Sequence, residues 1–174
     1  MSPIAPPAYV DVERLPALLE GTVEPGFIDL NGHMNIRHYL DAGAQSADII
    51  CRRIGIDDDY RARRRLGVFT AEHHISYFTE MHEGDRFTVH TLWIDRSERA
   101  GHLVAMVLDR TDEVLSCVVE IALVHVGMDS RRPAPFPADI AAVIDSWIDD
   151  ARRVNWDLPL SGAMGIRRPD ATAR

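Results

Sequence analysis

Between Ile36 and Ile54, apolar and small residues recur at helical spacing. Ile36, Leu40, Gly43, Ala44, Ala47, Ile50, Cys51 and Ile54 fall on one face. Asn35 stands at the N-cap position and Gly55 where the helix should stop, so the spacing predicts one long helix. Small residues in the middle of its apolar face let such a helix lie close against a sheet. Beyond it the pattern is that of strands, rich in β-branched and aromatic residues, over Val68 to Thr79, Arg86 to Ile94, His102 to Leu108 and Val114 to Val126. Glu83-Gly84-Asp85, Arg99-Ala100-Gly101 and Thr111-Asp112-Glu113 separate them, and such short turns predict an antiparallel meander. The last strand is apolar at nearly every position, which calls for cover on both faces. Thr22 to Ile28 reads as a short first strand. Asp139 to Arg152 reads as a second helix, with Ile140, Val143, Ile144, Trp147 and Ile148 on one face and Pro135 and Pro137 ahead of it.

The order strand, long buried helix, four antiparallel strands and terminal helix predicts an α+β domain in which a five-stranded antiparallel sheet wraps a central helix. Residues 1–20, with Pro3, Pro6, Pro7 and Pro16, read as a surface arm, 21–153 as the domain, and 154–174 as a tail where the pattern dissolves. One long helix covers one face of the sheet. The other face or an edge stays apolar, and pairing into a homodimer or homotetramer is the usual remedy.

Composition narrows the function classes. The chain has 174 residues, 46% hydrophobic, and 19 Lys and Arg against 27 Asp and Glu give a net charge of −8. That balance argues against a nucleic-acid or anionic-membrane partner, and an anionic ligand would need a local basic patch. Cys51 and Cys117 lie far apart in apolar segments, and no run is apolar enough to span a membrane, so a reduced, cytoplasmic protein is expected. His73 and His74 have no partners at metal-ligand spacing, and no metal is expected.

The densest chemistry lies in Phe27-Ile28-Asp29-Leu30-Asn31-Gly32-His33-Met34-Asn35. An acid at a strand end, a glycine turn and a helix N-terminus follow one another there. Unpaired N–H groups and the positive end of a helix dipole can hold a developing oxyanion. A carboxylate three residues before the glycine can reach the same carbonyl carbon, as nucleophile or as general base for water. Asp, Asn and Gly are also ordinary turn and capping residues, which explains such a segment without catalysis.

The run from Phe27 to Leu40 resembles the signature of the 4-hydroxybenzoyl-CoA thioesterase branch of the hotdog superfamily. The resemblance implies a hotdog fold, an acyl-CoA substrate, no separate cofactor, Asp29 as the catalytic carboxylate, and backbone N–H groups near Asn35 and Ile36 that polarise the thioester carbonyl. Gly32, His33 and Met34 then belong to the substrate site. Phe69 to Tyr77 resembles the second strand of these enzymes. Met128 to Pro137 resembles the exit from the last strand in the subgroup of carnitine and betaine metabolism. Many relatives carry an acid two positions before the catalytic Asp, where this chain has Phe27.

Other candidates remain beside this core. Alternation puts Glu72 and His74 on one strand face, where they can support or replace Asp29, or form a structural pair on an edge. Were they to converge on an acyl chain they would suit a hydratase instead, and a binding module without chemistry is the other rival. Arg61, Arg63, Arg64 and Arg65, or Arg131 and Arg132, are candidates for the phosphates of coenzyme A. Trp93, Tyr77 and Phe78 can form an aromatic pocket suited to the quaternary ammonium of a betainyl group.

Overall fold

A computed structural model describes residues 5–167. Helix α2 (Ile36–Arg53) begins where Asn35 caps it, the Asn35 side chain accepting from the Arg37 N–H at 3.1 Å. Its buried face is Tyr39, Ala42, Gly43, Ser46, Ala47, Ile50 and Cys51. That face is rotated from the expected one: Ile36 is 63% exposed and Ala44 faces solvent, while Tyr39 and Ser46 point inward. The apolar pattern missed Ser46 because its hydroxyl is satisfied in the core, 2.5 Å from Thr91 Oγ1. At Gly43 the helix lies so close to the sheet that an added Cβ would sit 3.0 Å from a Val119 methyl.

Strands β2 (Leu66–Tyr77), β3 (Arg86–Arg96), β4 (Ala100–Asp109) and β5 (Val114–Gly127) fall close to the expected positions, and β1 (Leu19–Thr22) completes one antiparallel sheet in the order β1-β3-β4-β5-β2. The meander holds only for β3, β4 and β5. The segment around Gly84 crosses from one edge of the sheet to the other, and β2 pairs with β5. β1 begins three residues and ends six residues earlier than expected, because Pro25 has no N–H to give a ladder and opens a 3₁₀ turn over Pro25–Phe27. A further helix, α3 (Asp58–Arg64), stands between α2 and β2. Asp57 caps it and Tyr60 is its one buried residue, so it shows no apolar period.

The two faces of the sheet are covered differently. The inner face packs on α2 around Val89, Trp93, Leu103, Val107, Val119 and Ile121, and α4 (Ala138–Ala151) extends this core through Ile140, Ile144 and Ile148. The outer face, with Val104, Met106, Leu108 and Val118, is covered by the chain itself. Val12 of the short helix α1 (Tyr9–Glu13), Leu15, Trp156 and Leu160 lie on it. Of the two surfaces expected to stay open, the outer face is thus covered by the chain itself, and an edge is the alternative that remains. The edges are β1 and β2, and β2 is the long one, with its residues from Phe69 to His73 exposed. Residues 1–4, with Pro3, and 168–174 lie outside the described residues.

Candidate active site

The turn before α2 is held by a network of backbone bonds. Asp29 N–H donates to the His33 carbonyl at 3.1 Å, Gly32 N–H to the Asp29 carbonyl at 3.0 Å, and Asn35 N–H to the Phe27 carbonyl at 2.8 Å. Gly32 takes φ +85°, a conformation that side chains resist. The half-buried Asp29 carboxylate accepts from the Asn31 N–H at 2.8 Å through Oδ1 and from Asn35 Nδ2 at 3.2 Å through Oδ2. Each oxygen keeps a lone pair, so the carboxylate is oriented without being used up.

These bonds correct the expected pair of oxyanion donors. The Asn35 N–H is committed to Phe27, and the neighbouring Met34, Arg37 and His38 N–H groups go to Met81, the Asn35 side chain and the Asn35 carbonyl. The Ile36 N–H alone among these has no partner among the described residues. Phe27 stacks on His38 with ring centroids 4.0 Å apart and 10° between planes. Burial, and secondarily the Arg37 cation, holds the His38 imidazole below its ordinary value, which favours the neutral ring.

A cleft of about 310 Å³ opens between the start of α2 and the end of β2, lined by His33, Met34, Ile36, Tyr39 and residues 77–80. Tyr39 and Tyr77 meet edge to face at 5.4 Å, and burial raises both phenols. Tyr77 and Phe78 thus line the cleft as expected. Trp93 does not: it is fully buried over Gly101 in the inner core. Tyr39 was missed because, on a helix and read by period alone, it gave no sign of facing ligand. Glu80 adds a carboxylate at the rim.

Glu72 and His74 do share a face, but it is the outer one, across the sheet from α2. β2 carries Val68, Thr70, His73 and Ile75 toward the helix, with a register shift between Thr70 and Glu72. His74 Nδ1 lies 3.8 Å from Glu120 Oε1, and Glu72 lies 3.8 Å from Arg167. Within one protomer neither residue supports Asp29, and the pair a hydratase would need does not converge on the cleft.

The basic clusters also separate. Arg61, Arg63 and Arg64 pair with Asp48, Asp59 and Asp139 at 3.4, 2.9 and 2.6 Å, and Arg65 pairs with Asp129. Arg131 and Arg132 form no salt bridge within 4.0 Å among the described residues, though the Arg131 charge helps Arg65 hold the Asp129 carboxyl below its ordinary range, and the Arg131 guanidinium lies 5.5 Å from the centre of the Phe69 ring. Among the described residues no group of three or more His, Cys, Asp or Glu is placed to hold a metal ion, and no helix is long and apolar enough to cross a membrane.

Comparison with known proteins agrees with this geometry. A betainyl-CoA thioesterase of Pseudomonas aeruginosa is 29% identical over 147 residues, 84% of this chain and 89% of that protein. An L-carnitine dehydrogenase/betainyl-CoA thioesterase of Ruegeria pomeroyi is 36% identical over 152 residues, 87% of this chain but 30% of that longer protein. A Staphylococcus aureus protein solved in complex with CoA shares the fold with a TM-score of 0.76 at 23% identity, over 89% of this chain and 97% of that one. A 1,4-dihydroxy-2-naphthoyl-CoA thioesterase from Synechocystis does so with a TM-score of 0.64 at 16% identity, over 73% and 93%. The family profile described as the Thioesterase-like superfamily matches residues 23–144. The chain therefore belongs to the thioesterase-like superfamily, with the hotdog fold, and is a hydrolase of acyl-CoA thioesters.

Proposed function

We propose that the enzyme hydrolyses a CoA thioester with a compact, cationic acyl group, betainyl-CoA being the reference substrate, in the cleft between α2 and the end of β2. The observation that carries this reading is the uncommitted Ile36 N–H beside a cleft walled by Tyr39, Tyr77 and Phe78, with the Glu80 carboxylate at its rim. Aromatic faces and a carboxylate suit a quaternary ammonium. The betainyl-CoA thioesterases among its relatives support the same choice.

In this mechanism the Ile36 N–H holds the thioester carbonyl oxygen at the positive end of α2. Asp29, which lies on the turn ahead of α2 and not among the residues lining the cleft, is oriented by Asn31 and Asn35 and takes a proton from water as the water oxygen bonds to the carbonyl carbon. The tetrahedral oxyanion then re-forms its carbonyl, the C–S bond breaks, and CoA leaves as a thiolate. No external cofactor takes part. His33 and Met34 shape the cleft, and Gly32 gives the turn its conformation.

The working unit is a homodimer paired through β2, in the cytoplasm. A twelve-residue strand with a free edge supports this. So does the position of the phosphate-binding candidates. Arg131 stands over Phe69, eight residues from Tyr77, a span of about 26 Å along a strand. Antiparallel pairing of two β2 edges brings Arg131 of the partner subunit toward the Tyr77 end of this one, where CoA leaves the cleft.

The test is release of free CoA thiol from a panel of acyl-CoA thioesters, short, aromatic and betainyl. The expected result is selective turnover of betainyl-CoA. Preference for a neutral aromatic acyl group would overturn the cationic assignment, leaving the thioesterase chemistry intact.

A further inference from the structure

Glu72, His74 and the tail gather on the outer face of the sheet, away from the cleft. Glu120 of β5 is 1% exposed, accepting from His102 Nε2 at 3.1 Å and from the Ser161 N–H at 2.7 Å. Burial alone would raise its carboxyl; the bonds from His102 and Ser161 outweigh that and hold it below the ordinary value. Trp156 and Leu160 pack on the same face, so the tail is seated by apolar contact and pinned by a buried carboxylate.

Past Ser161 the chain runs out to the β2 edge. Gly165, Ile166 and Arg167 form one wall of a groove of about 420 Å³ whose floor includes Ala71, Glu72 and Ala122, and Arg167 ends 3.8 Å from the Glu72 carboxylate. β2 runs from Leu66 to Tyr77, so its midpoint falls between Ala71 and Glu72. When two identical strands pair antiparallel over their full length, the two-fold axis passes through that midpoint. Each copy's tail therefore arrives at the seam, where Glu72 stands beside the axis opposite Ala71 of the partner subunit and the two Glu72 carboxylates are diagonal neighbours.

We propose that the segment from Trp156 to Arg167 is a clasp over the dimer seam, anchored on its own subunit by Glu120 and neutralising with Arg167 the Glu72 carboxylates that flank the two-fold axis. This rests on the β2-paired dimer proposed above. The clasp leaves the pairing of backbones to β2 and removes the like-charge repulsion that pairing creates.

Sedimentation velocity over a dilution series tests it, with thiol release measured alongside. Arg167→Glu and Glu72→Arg should each raise the dimer dissociation constant about tenfold, the scale of two exposed ion pairs turned repulsive. The double variant, Glu72→Arg with Arg167→Glu, should return it to within about threefold of wild type, which a folding defect would not do. Deleting residues 162–174 should also weaken the dimer, with turnover recovered at high protein concentration. Wild-type dissociation constants in both single variants, or no restoration in the double, overturn the clasp. A wild-type protein that is monomeric yet fully active overturns the dimer itself.

Discussion

At Asp29 a structural and a chemical role coincide. Its carboxylate holds the turn through Asn31 and Asn35, so its replacement tests both roles at once. Asp29→Asn keeps the shape and one acceptor, and kcat is expected to fall by about two orders of magnitude or more, the scale of a lost acid–base group. Near-normal thiol release at an unchanged melting temperature would leave Asp29 as a turn residue. Asn35→Ala removes both the cap of α2 and one of the bonds on Asp29, and should cost about 1 kcal/mol of stability by urea titration in addition to its effect on turnover. Arg131, which lies over Phe69, is the proposed contact for the CoA phosphates. Arg131→Ala should raise KM for an acyl-CoA about tenfold or more with kcat little changed, consistent with a lost charge-assisted bond to phosphate.

At the scale of elements, the contact between α2 and β5 sets how deeply the helix sits. Gly43 lies against Val119, so Gly43→Leu has to push the helix off the sheet or displace that strand. The expected loss is about 1–3 kcal/mol or more in denaturant unfolding, and turnover should suffer because Ile36 and Tyr39 move with the helix. The strands carry a pH dependence of their own. Burial holds His90 on β3 and His125 on β5 below the ordinary value of 6.5. That favours the neutral ring in the folded chain for both: His90 is bonded to Thr88 and the Leu15 carbonyl, and His125 to Tyr60 and the Ala134 carbonyl. The unfolded chain takes up protons first as pH falls. Folding stability is therefore full above about 6.5 and declines as pH drops below it, until the folded-state values are reached. Urea titrations at pH 7.5 and pH 5.5 should show this decline, and His125→Gln should flatten it.

At the scale of the whole molecule, the sheet has two differently used boundaries. Its outer face is closed by the arm and the tail of the same chain, and the β2 edge is unpaired within the chain. A protein that buries its own outer face has no cause to stack through it. Assembly at micromolar concentration is therefore expected to stop at a dimer, and a sizing experiment showing a tetramer would place a second interface elsewhere. The division also explains why Glu72 and His74 drew attention as chemistry. They are polar residues on a half-covered strand, and what partners them, Arg167 and Glu120, comes from sequence positions far away.

The sequence by itself determined what depends on neighbours along the chain: the period of α2, the strands from Leu66 to Gly127, the turn with Gly32, the cap at Asn35 and the acid at Asp29. Hydrogen bonding within a turn, and side-chain period within an element, are local, so they are legible locally. What only the tertiary structure decided depends on contacts between distant segments. The pairing of β2 with β5 turns on which edge the chain crosses to, and no residue near Gly84 encodes that. The rotation of α2 that hides Ser46 depends on Thr91, 45 residues on. The loss of the Asn35 N–H to Phe27, which leaves Ile36 as the free donor, depends on how closely the turn folds back on itself. Which face of the sheet holds Glu72 and His74 follows from the register of β2, and the fact that the face is covered follows from a tail with no pattern of its own.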